Sequence, residues 1–184
     1  EKGSALTGIK KAIFYWAVEV GLAYEPYGQN GWLYEKKLGL ARKLVFSKWR
    51  EGLGGRLETM VSGSAALQPR LARIFSAAGM YVMEGYGLTE TSPVITVNCY
   101  KDALFRIGTV GKPIRNIEVK IAEDGEILVK GPNVMQGYYK DPVRTAQAFD
   151  EDGWFRTGDI GEWTERGFLK VKGRNSPLNY PKAI

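Results

Sequence analysis

Residues 57–83 leave few folds open, because an apolar run, a helical stretch and a second apolar run follow one another with short connections. Residues 57–61 read as a buried strand. Residues 69–78 read as a helix with Pro69 in its first turn, where a missing N–H costs nothing. Gly79 stops that helix, and Met80-Tyr81-Val82-Met83 reads as the second strand. Strand, helix, strand in this order is the crossover unit of a parallel sheet. Open α/β sheets gather ligands at the carboxyl ends of their strands. Two glycine-containing segments stand at those ends, Gly63-Ser64-Ala65 after the first strand and Glu84-Gly85-Tyr86-Gly87-Leu88-Thr89-Glu90 after the second.

The second segment carries chemistry suited to a nucleotide. Glycines let backbone approach a ligand closely, and Tyr86 offers a flat ring to a base. The Thr89 hydroxyl suits a phosphate, and the Glu90 carboxylate suits the Mg²⁺ that accompanies nucleotides. The same residues also read as an ordinary glycine-rich turn with an exposed acid, and this stretch alone does not separate the two readings.

Around this unit the chain divides in character. Ile9, Ile13, Trp16, Ala17 and Val20 recur near a helical period, with Gly21 weakening the helix near its end. Residues 26–31 form a loop, and a second, basic amphipathic helix runs over residues 32–49. Such a helix either packs one face on its own domain or lies on a membrane surface. The pattern changes near Lys101-Asp102. Beyond it, residues 117–121 and 126–130 alternate as strands, and Asp124-Gly125 between them is a hairpin turn signal. Residues 143–149 read as a short helix. The domain assignment is therefore residues 1–101 as a helical lead-in and α/β part, 102–174 as a β-rich part, and 175–184 as an unassigned tail.

Composition removes several functions. The sequence has 184 residues, 44% of them apolar and 25% charged, which is ordinary for a globular protein. It holds no histidine, so Ser-His-Asp and Cys-His catalysis and histidine metal sites are excluded within it. Cys99 is single, so the chain has no disulfide framework. The net charge of +6 is spread along the chain with acids interleaved, and nucleic-acid binding is not needed to explain it. No run reaches the roughly 18 apolar residues of a membrane span. A cytoplasmic place is the default, contact with the inner face of the membrane is left open by the basic helix, and nothing sets the oligomeric state. Three partial motifs fail. Glu90 stands where a dinucleotide fingerprint needs glycine, Arg106 and Pro113 break a P-loop around Gly111-Lys112, and Asp150-Glu151-Asp152-Gly153 lacks calcium-loop spacing.

Further motifs sharpen the reading. Trp154-Phe155-Arg156-Thr157-Gly158-Asp159, then Gly167-Phe168-Leu169-Lys170-Val171-Lys172-Gly173-Arg174, follow the tyrosine segment, and Val61-Ser62-Gly63-Ser64-Ala65-Ala66-Leu67 precedes it. In this order and spacing they resemble the adenylate-forming superfamily of acyl-CoA synthetases, peptide-synthetase adenylation domains and luciferases. The lead-in over residues 8–17 resembles the long-chain fatty acyl-CoA synthetase branch. The resemblance spans roughly residues 6–174. It implies part of a parallel-sheet α/β subdomain followed by a small, distorted β-barrel.

The resemblance also implies a reaction. A fatty acid is activated by ATP to an acyl-adenylate and then passed to CoA, with Mg²⁺ as the metal. Gly63, Ser64 and Ala65 would line one face of the adenine. Tyr86 would stack on the other, within the stretch Glu84, Gly85, Tyr86, Gly87 and Leu88. Thr89 would bond the α-phosphate, Glu90 would hold Mg²⁺, Asp159 would accept both ribose hydroxyls, and Arg174 would approach the ribose. If only the ring face of Tyr86 matters, Tyr86→Phe is nearly silent. The family pattern breaks after Arg174, where Ser176 stands in place of a Lys or Asp hinge, and Lys182 is no convincing stand-in for the catalytic lysine. The family's phosphate loop would lie upstream. The chain therefore reads as an internal fragment that is inactive alone. Competing readings are a CoA ligase for a shorter or aryl acid and a non-catalytic nucleotide- or lipid-binding module.

Overall fold

The computed structural model describes residues 6–63 and 67–174. Ser64 and Ala65, assigned above to the adenine, lie outside the described residues, as does the tail 175–184 with Lys182. The chain forms two compact units. One comprises Glu1–Met83 and Tyr100–Gly108, the other Glu84–Cys99 and Thr109–Ile184.

The first unit is built on helices. Helix α1 (Gly8–Leu22) buries Ala17, Val20 and Gly21. A Cβ on Gly21 would meet Phe46 Cζ at 3.1 Å, so the glycine that weakens the helix is also where α1 meets the next helical run. That run comprises α2 (Trp32–Ala41), a π-type turn (Arg42–Phe46) and α3 (Ser47–Gly52). It buries Leu38, Ala41, Val45 and Phe46, a one-faced spacing that matches the amphipathic pattern. Full burial of side chains such as Leu38, Phe46 and Met80 contributes about 1.5–3 kcal/mol each. Among the described residues no helix is long and apolar enough to cross a membrane.

Strand β1 (Thr59–Ser62), helix α4 (Pro69–Ala77) and strand β2 (Tyr81–Gly87) form the expected crossover, with β1 and β2 neighbours in the sheet order β1-β2-β3-β4. The structure corrects one detail. Strand β1 is not buried but alternates between exposed and half-buried, because Met60 packs on the helical core while Val61, 79% exposed, faces away from it. Strand β2 leaves the first unit at Met83 and enters the second at Glu84.

The second unit holds the rest of β2, β3 (Val94–Val97) and β4 (Lys112–Pro113), together with a second sheet. That sheet is antiparallel throughout, in the order β5 (Glu118–Ile121), β6 (Glu126–Lys130), β7 (Phe155–Trp163), β8 (Leu169–Arg174). Helix α5 (Pro142–Gln147) is capped by Asp141, whose side chain accepts the Arg144 N–H. The core contains Ile95, Ile117, Ile127, Val129 and Leu169. The α/β-plus-antiparallel architecture is the one the motifs imply.

The β5–β6 turn falls at residues 122–125, between the two strands as expected, with Gly125 N donating to Ala122 O at 2.9 Å and Gly125 at φ +87°. Two further details differ from the sequence reading. Strand β6 does not alternate, since Glu126 through Val129 are all buried; it is an inner strand covered on both faces, and Glu126 is paired. The change of character at Lys101-Asp102 falls inside Tyr100–Gly108, which belongs to the first unit. There the Tyr27 hydroxyl donates to Tyr100 O at 2.9 Å and accepts from Phe105 N at 3.2 Å.

Gly111 gives the fold a sharp test. It takes φ +85°, and a Cβ there would overlap the Val97 carbonyl and the Asn98 nitrogen. Gly111→Ala is expected to cost about 1–2 kcal/mol for a left-handed backbone, and about 1–3 kcal/mol more for the overlap. Gly39, exposed on α2 with nothing within 4 Å of a built Cβ, is the control. Gly39→Ala should gain about 0.5–1 kcal/mol. Urea unfolding of the chain by tryptophan fluorescence should move the two midpoints in opposite directions.

Candidate functional site

The site in the second unit starts from a mismatch between two strands. In the β6–β7 ladder Glu126 pairs with Ile160 and Leu128 with Arg156, so Thr157, Gly158 and Asp159 stand opposite Ile127 alone. Gly158 accommodates the excess with φ +71°, a conformation that suits glycine. Backbone groups displaced from a ladder must find other partners, and here side chains supply them. Thr157 Oγ1 donates to Ile127 O at 2.7 Å and accepts from Asp159 N at 3.1 Å. Gly158 N donates to Glu126 Oε1 at 2.8 Å. Bulges of this kind re-aim side chains next to functional sites.

The re-aimed side chain is Asp159, which is only 7% exposed. Its Oδ1 accepts from Arg174 Nε at 2.7 Å. Arg174 is its cross-strand partner on β8, so the β7–β8 register alone brings the two together. Its Oδ2 accepts from the Tyr86 hydroxyl at 2.8 Å. Burial first, and then the Asp159 charge, push the Tyr86 phenol far above its usual range, so it stays a proton donor. The structure thus joins Tyr86, Asp159 and Arg174, residues up to 88 apart in the sequence, in one hydrogen-bonded group. It also corrects the expectation for Tyr86. Its hydroxyl is engaged, so Tyr86→Phe removes a bond to a carboxylate.

A second group surrounds Glu90. Thr89 through Thr91 form a short 3₁₀ turn in which Thr89 is exposed and Thr91 buried. Leu88 N donates to Thr91 Oγ1 at 3.0 Å. Asn133 Nδ2 donates to Thr91 O at 2.8 Å and to Val94 O at 2.9 Å. Met135 N donates to Glu90 O at 2.8 Å, and the Tyr138 hydroxyl donates to Glu90 Oε1 at 3.1 Å. The segment carrying Asn133, Met135 and Tyr138 therefore fixes both the backbone and the carboxylate of Glu90. Mg²⁺ commonly keeps several waters and takes one or two carboxylates beside substrate phosphates. Glu90 fits that share, and among the described residues no cluster of three or more acidic or thiol ligands offers an all-protein cage.

The glycines of the tyrosine segment have a structural duty. A Cβ on Gly87 would overlap the Pro93 carbonyl, and one on Gly85 would sit 3.3 Å from Thr96 O. The protein's own backbone already requires close approach at both. Glu84 is 7% exposed, and its carbonyl accepts from Asn98 N at 2.8 Å. Gly63, exposed after β1, belongs to the first unit, whereas residues 84–90, Asp159 and Arg174 belong to the second. Sequence reasoning missed Glu126, Asn133 and Tyr138. Only a known β6–β7 register would have paired Glu126 with Arg156; Asn133 and Tyr138 carry no signal of their own.

The chain is similar to several known proteins. The chain is 42% identical over 151 residues to the long-chain-fatty-acid–CoA ligase FadD15 of Mycobacterium bovis, matching 82% of this chain and 25% of that protein. It is 40% identical over 148 residues to the human long-chain-fatty-acid–CoA ligase 1, matching 74% of this chain and 21% of that protein. The chain thus spans about a quarter of the length of the curated relatives it matches. Among solved structures, a malonyl-CoA ligase complex with methylmalonyl-CoA and AMP bound is 37% identical with a TM-score of 0.60, over 78% of this chain and 32% of that one. An ATP-bound RpMatB-BxBclM chimera is 34% identical with a TM-score of 0.62, over 73% of this chain and 29% of that one. Residues 25–139 match the sequence model of the AMP-binding enzymes, and the chain belongs to that family.

Proposed function

We propose that this chain is the nucleoside-recognising part of a longer ligase that activates a long-chain fatty acid with ATP and passes the acyl group to CoA. The observation that carries the reading is the Tyr86–Asp159–Arg174 group. It presents a buried carboxylate held from two sides, and a carboxylate matches a vicinal diol such as ribose. Thr89 and Glu90 are the candidates for the α-phosphate and Mg²⁺. Gly63, Ser64 and Ala65 are candidates for adenine contact in the first unit, and the Tyr86 ring is a candidate in the second. The attacking group in such a reaction is a carboxylate, already nucleophilic, so the absence of histidine in this sequence is no obstacle. Positioning and charge neutralisation then carry the catalysis. The fatty-acid reading is supported by the names of the ligases at 40–42% identity.

Two outcomes test this. In a full-length enzyme carrying this sequence, ATP–pyrophosphate exchange should be supported by palmitate and not by benzoate or acetate. Exchange with benzoate alone would move the substrate class to aryl acids, and nucleotide binding without any exchange would favour a non-catalytic module.

The second outcome concerns the site group. Asp159→Ala should raise the KM for ATP by roughly tenfold or more, because a hydrogen bond to a charged group contributes about 1.5–3 kcal/mol. The KM for fatty acid should stay within about twofold. Tyr86→Phe should give an intermediate loss and Tyr86→Ala a larger one, since a base–aromatic stack adds about 1–3 kcal/mol. Unchanged ATP kinetics in Asp159→Ala would remove the carboxylate from the site.

A further inference from the structure

Glu126 is a carboxylate at the head of a buried strand, with 8% of its side chain exposed. Burying a charge is costly unless its atoms are bonded, and both oxygens are. Oε2 accepts from Arg156, Nη2 at 2.9 Å and Nε at 3.1 Å. Oε1 accepts from the Gly158 N–H at 2.8 Å. The Arg156 pair alone does not account for the residue, because the Arg156 side chain is 48% exposed and an ion pair with a solvated partner contributes little to stability. An apolar residue could not accept the Gly158 N–H, which the bulge removes from the β6–β7 ladder.

That N–H lies in the peptide between Thr157 and Gly158, one residue before Asp159. The bulge has three internal fastenings, Thr157 Oγ1 on Ile127 O, Asp159 N on Thr157 Oγ1, and Gly158 N on Glu126 Oε1. Only the last ties the N–H of the glycine itself, whose φ of +71° turns Asp159 towards Tyr86 and Arg174, to a side chain of β6. Arg156 holds the far oxygen of Glu126 and so fixes where the near one points.

We propose that Glu126 is a positioning residue for nucleoside recognition: by accepting the Gly158 N–H it holds the Thr157-Gly158-Asp159 bulge and aims the Asp159 carboxylate at the ribose hydroxyls. The inference rests on the reading of Asp159 as the ribose acceptor. Glu126 touches no substrate; it acts through the backbone. Its loss therefore weakens the discrimination of ribose more than it weakens the fold.

The test is the preference for AMP over 2′-deoxy-AMP, measured by titration calorimetry on a full-length enzyme carrying this sequence, with the melting temperature recorded for each variant. The unsubstituted enzyme should prefer the ribonucleotide by about tenfold to a hundredfold. Glu126→Ala should lower that ratio to about threefold or less, and Glu126→Gln, whose amide oxygen can still accept the Gly158 N–H, should keep it within about threefold of the original. A merely structural role would lower stability and leave the ratio in the surviving folded protein intact. If Glu126→Ala does not fold, Glu126→Asp takes its place. It keeps a carboxylate beside Arg156, withdraws the acceptor from Gly158 by one methylene, and should lower the ratio at least threefold. A full ratio in Glu126→Ala or Glu126→Asp, or an equal loss in Glu126→Gln and Glu126→Ala, overturns the proposal. Asp159→Ala separates the two levels. A full ratio in that variant means the ribose reading itself fails, whereas loss there with retention in Glu126→Ala means that only the role of Glu126 fails.

Discussion

Three residues of β7 stand opposite one residue of β6, and the geometry of the site follows from that mismatch. A regular antiparallel ladder would alternate side chains from Arg156 onward and engage each N–H in turn. The bulge breaks the alternation at Gly158, and the register shift near Ile160 and Gly161 continues the irregularity on the β8 side. Asp159 is left buried, next to Arg174 across the ladder and within reach of Tyr86 from the other sheet of the same unit. The strand is irregular where its side chain has a partner to reach, which is how bulges commonly serve sites.

The Asp159 group and the Glu90 group are built alike. In each, a carboxylate is steadied by a tyrosine hydroxyl from a distant stretch of chain, Tyr86 for Asp159 and Tyr138 for Glu90. Each hydroxyl donates, so each carboxylate is oriented as an acceptor. The backbone beneath is fixed as well. Thr157 and Glu126 hold the bulge, while Asn133 and the Met135 N–H hold the turn around Glu90. Supporting bonds of this sort keep a functional side chain in a narrow range of geometry, as a site that must meet its ligand with little reorganisation requires.

The sequence made some of this legible and hid the rest for identifiable reasons. The crossover over β1, α4 and β2 was readable because Pro69 and Gly79 punctuate it and its apolar runs are short and clear. The Asp124-Gly125 turn was readable because it separates two apolar runs, and the Asp124 side chain accepts the Glu126 N–H that follows it. The burial of β1 and the alternation of β6 were misread because strand faces are decided by what packs on them, and one sequence window does not report that. Asp159 and Arg174 were visible as residue types, but their pairing is a property of the β7–β8 register. Glu126 was read only as the first residue of an alternating strand. Its partner is the Gly158 N–H, 32 positions away, a donor that the bulge turns out of the β6–β7 ladder.

If Asp159 is the ribose acceptor proposed above, its hydrogen bonds in the unliganded chain bear on how it would meet a diol. An ionised carboxylate offers about four acceptor positions. Tyr86 takes one on Oδ2, and Arg174 takes Oδ1 at 2.7 Å with a longer approach of 3.5 Å to Oδ2. One position stays open, and a second follows when the long 3.5 Å approach of Arg174 gives way, in either case without displacing Tyr86. Because both existing partners donate, they hold the carboxylate in one orientation without competing as acceptors for the incoming donors. The entropy of fixing that side chain is then met in folding rather than in binding, and a diol gains affinity from an acceptor already in place. On the proposed reading of Asp159 as the ribose acceptor, the same burial would make it selective. A ligand that covers it without supplying hydroxyls would leave a charged, water-excluded acceptor short of partners, a larger penalty than the bonds themselves are worth in water.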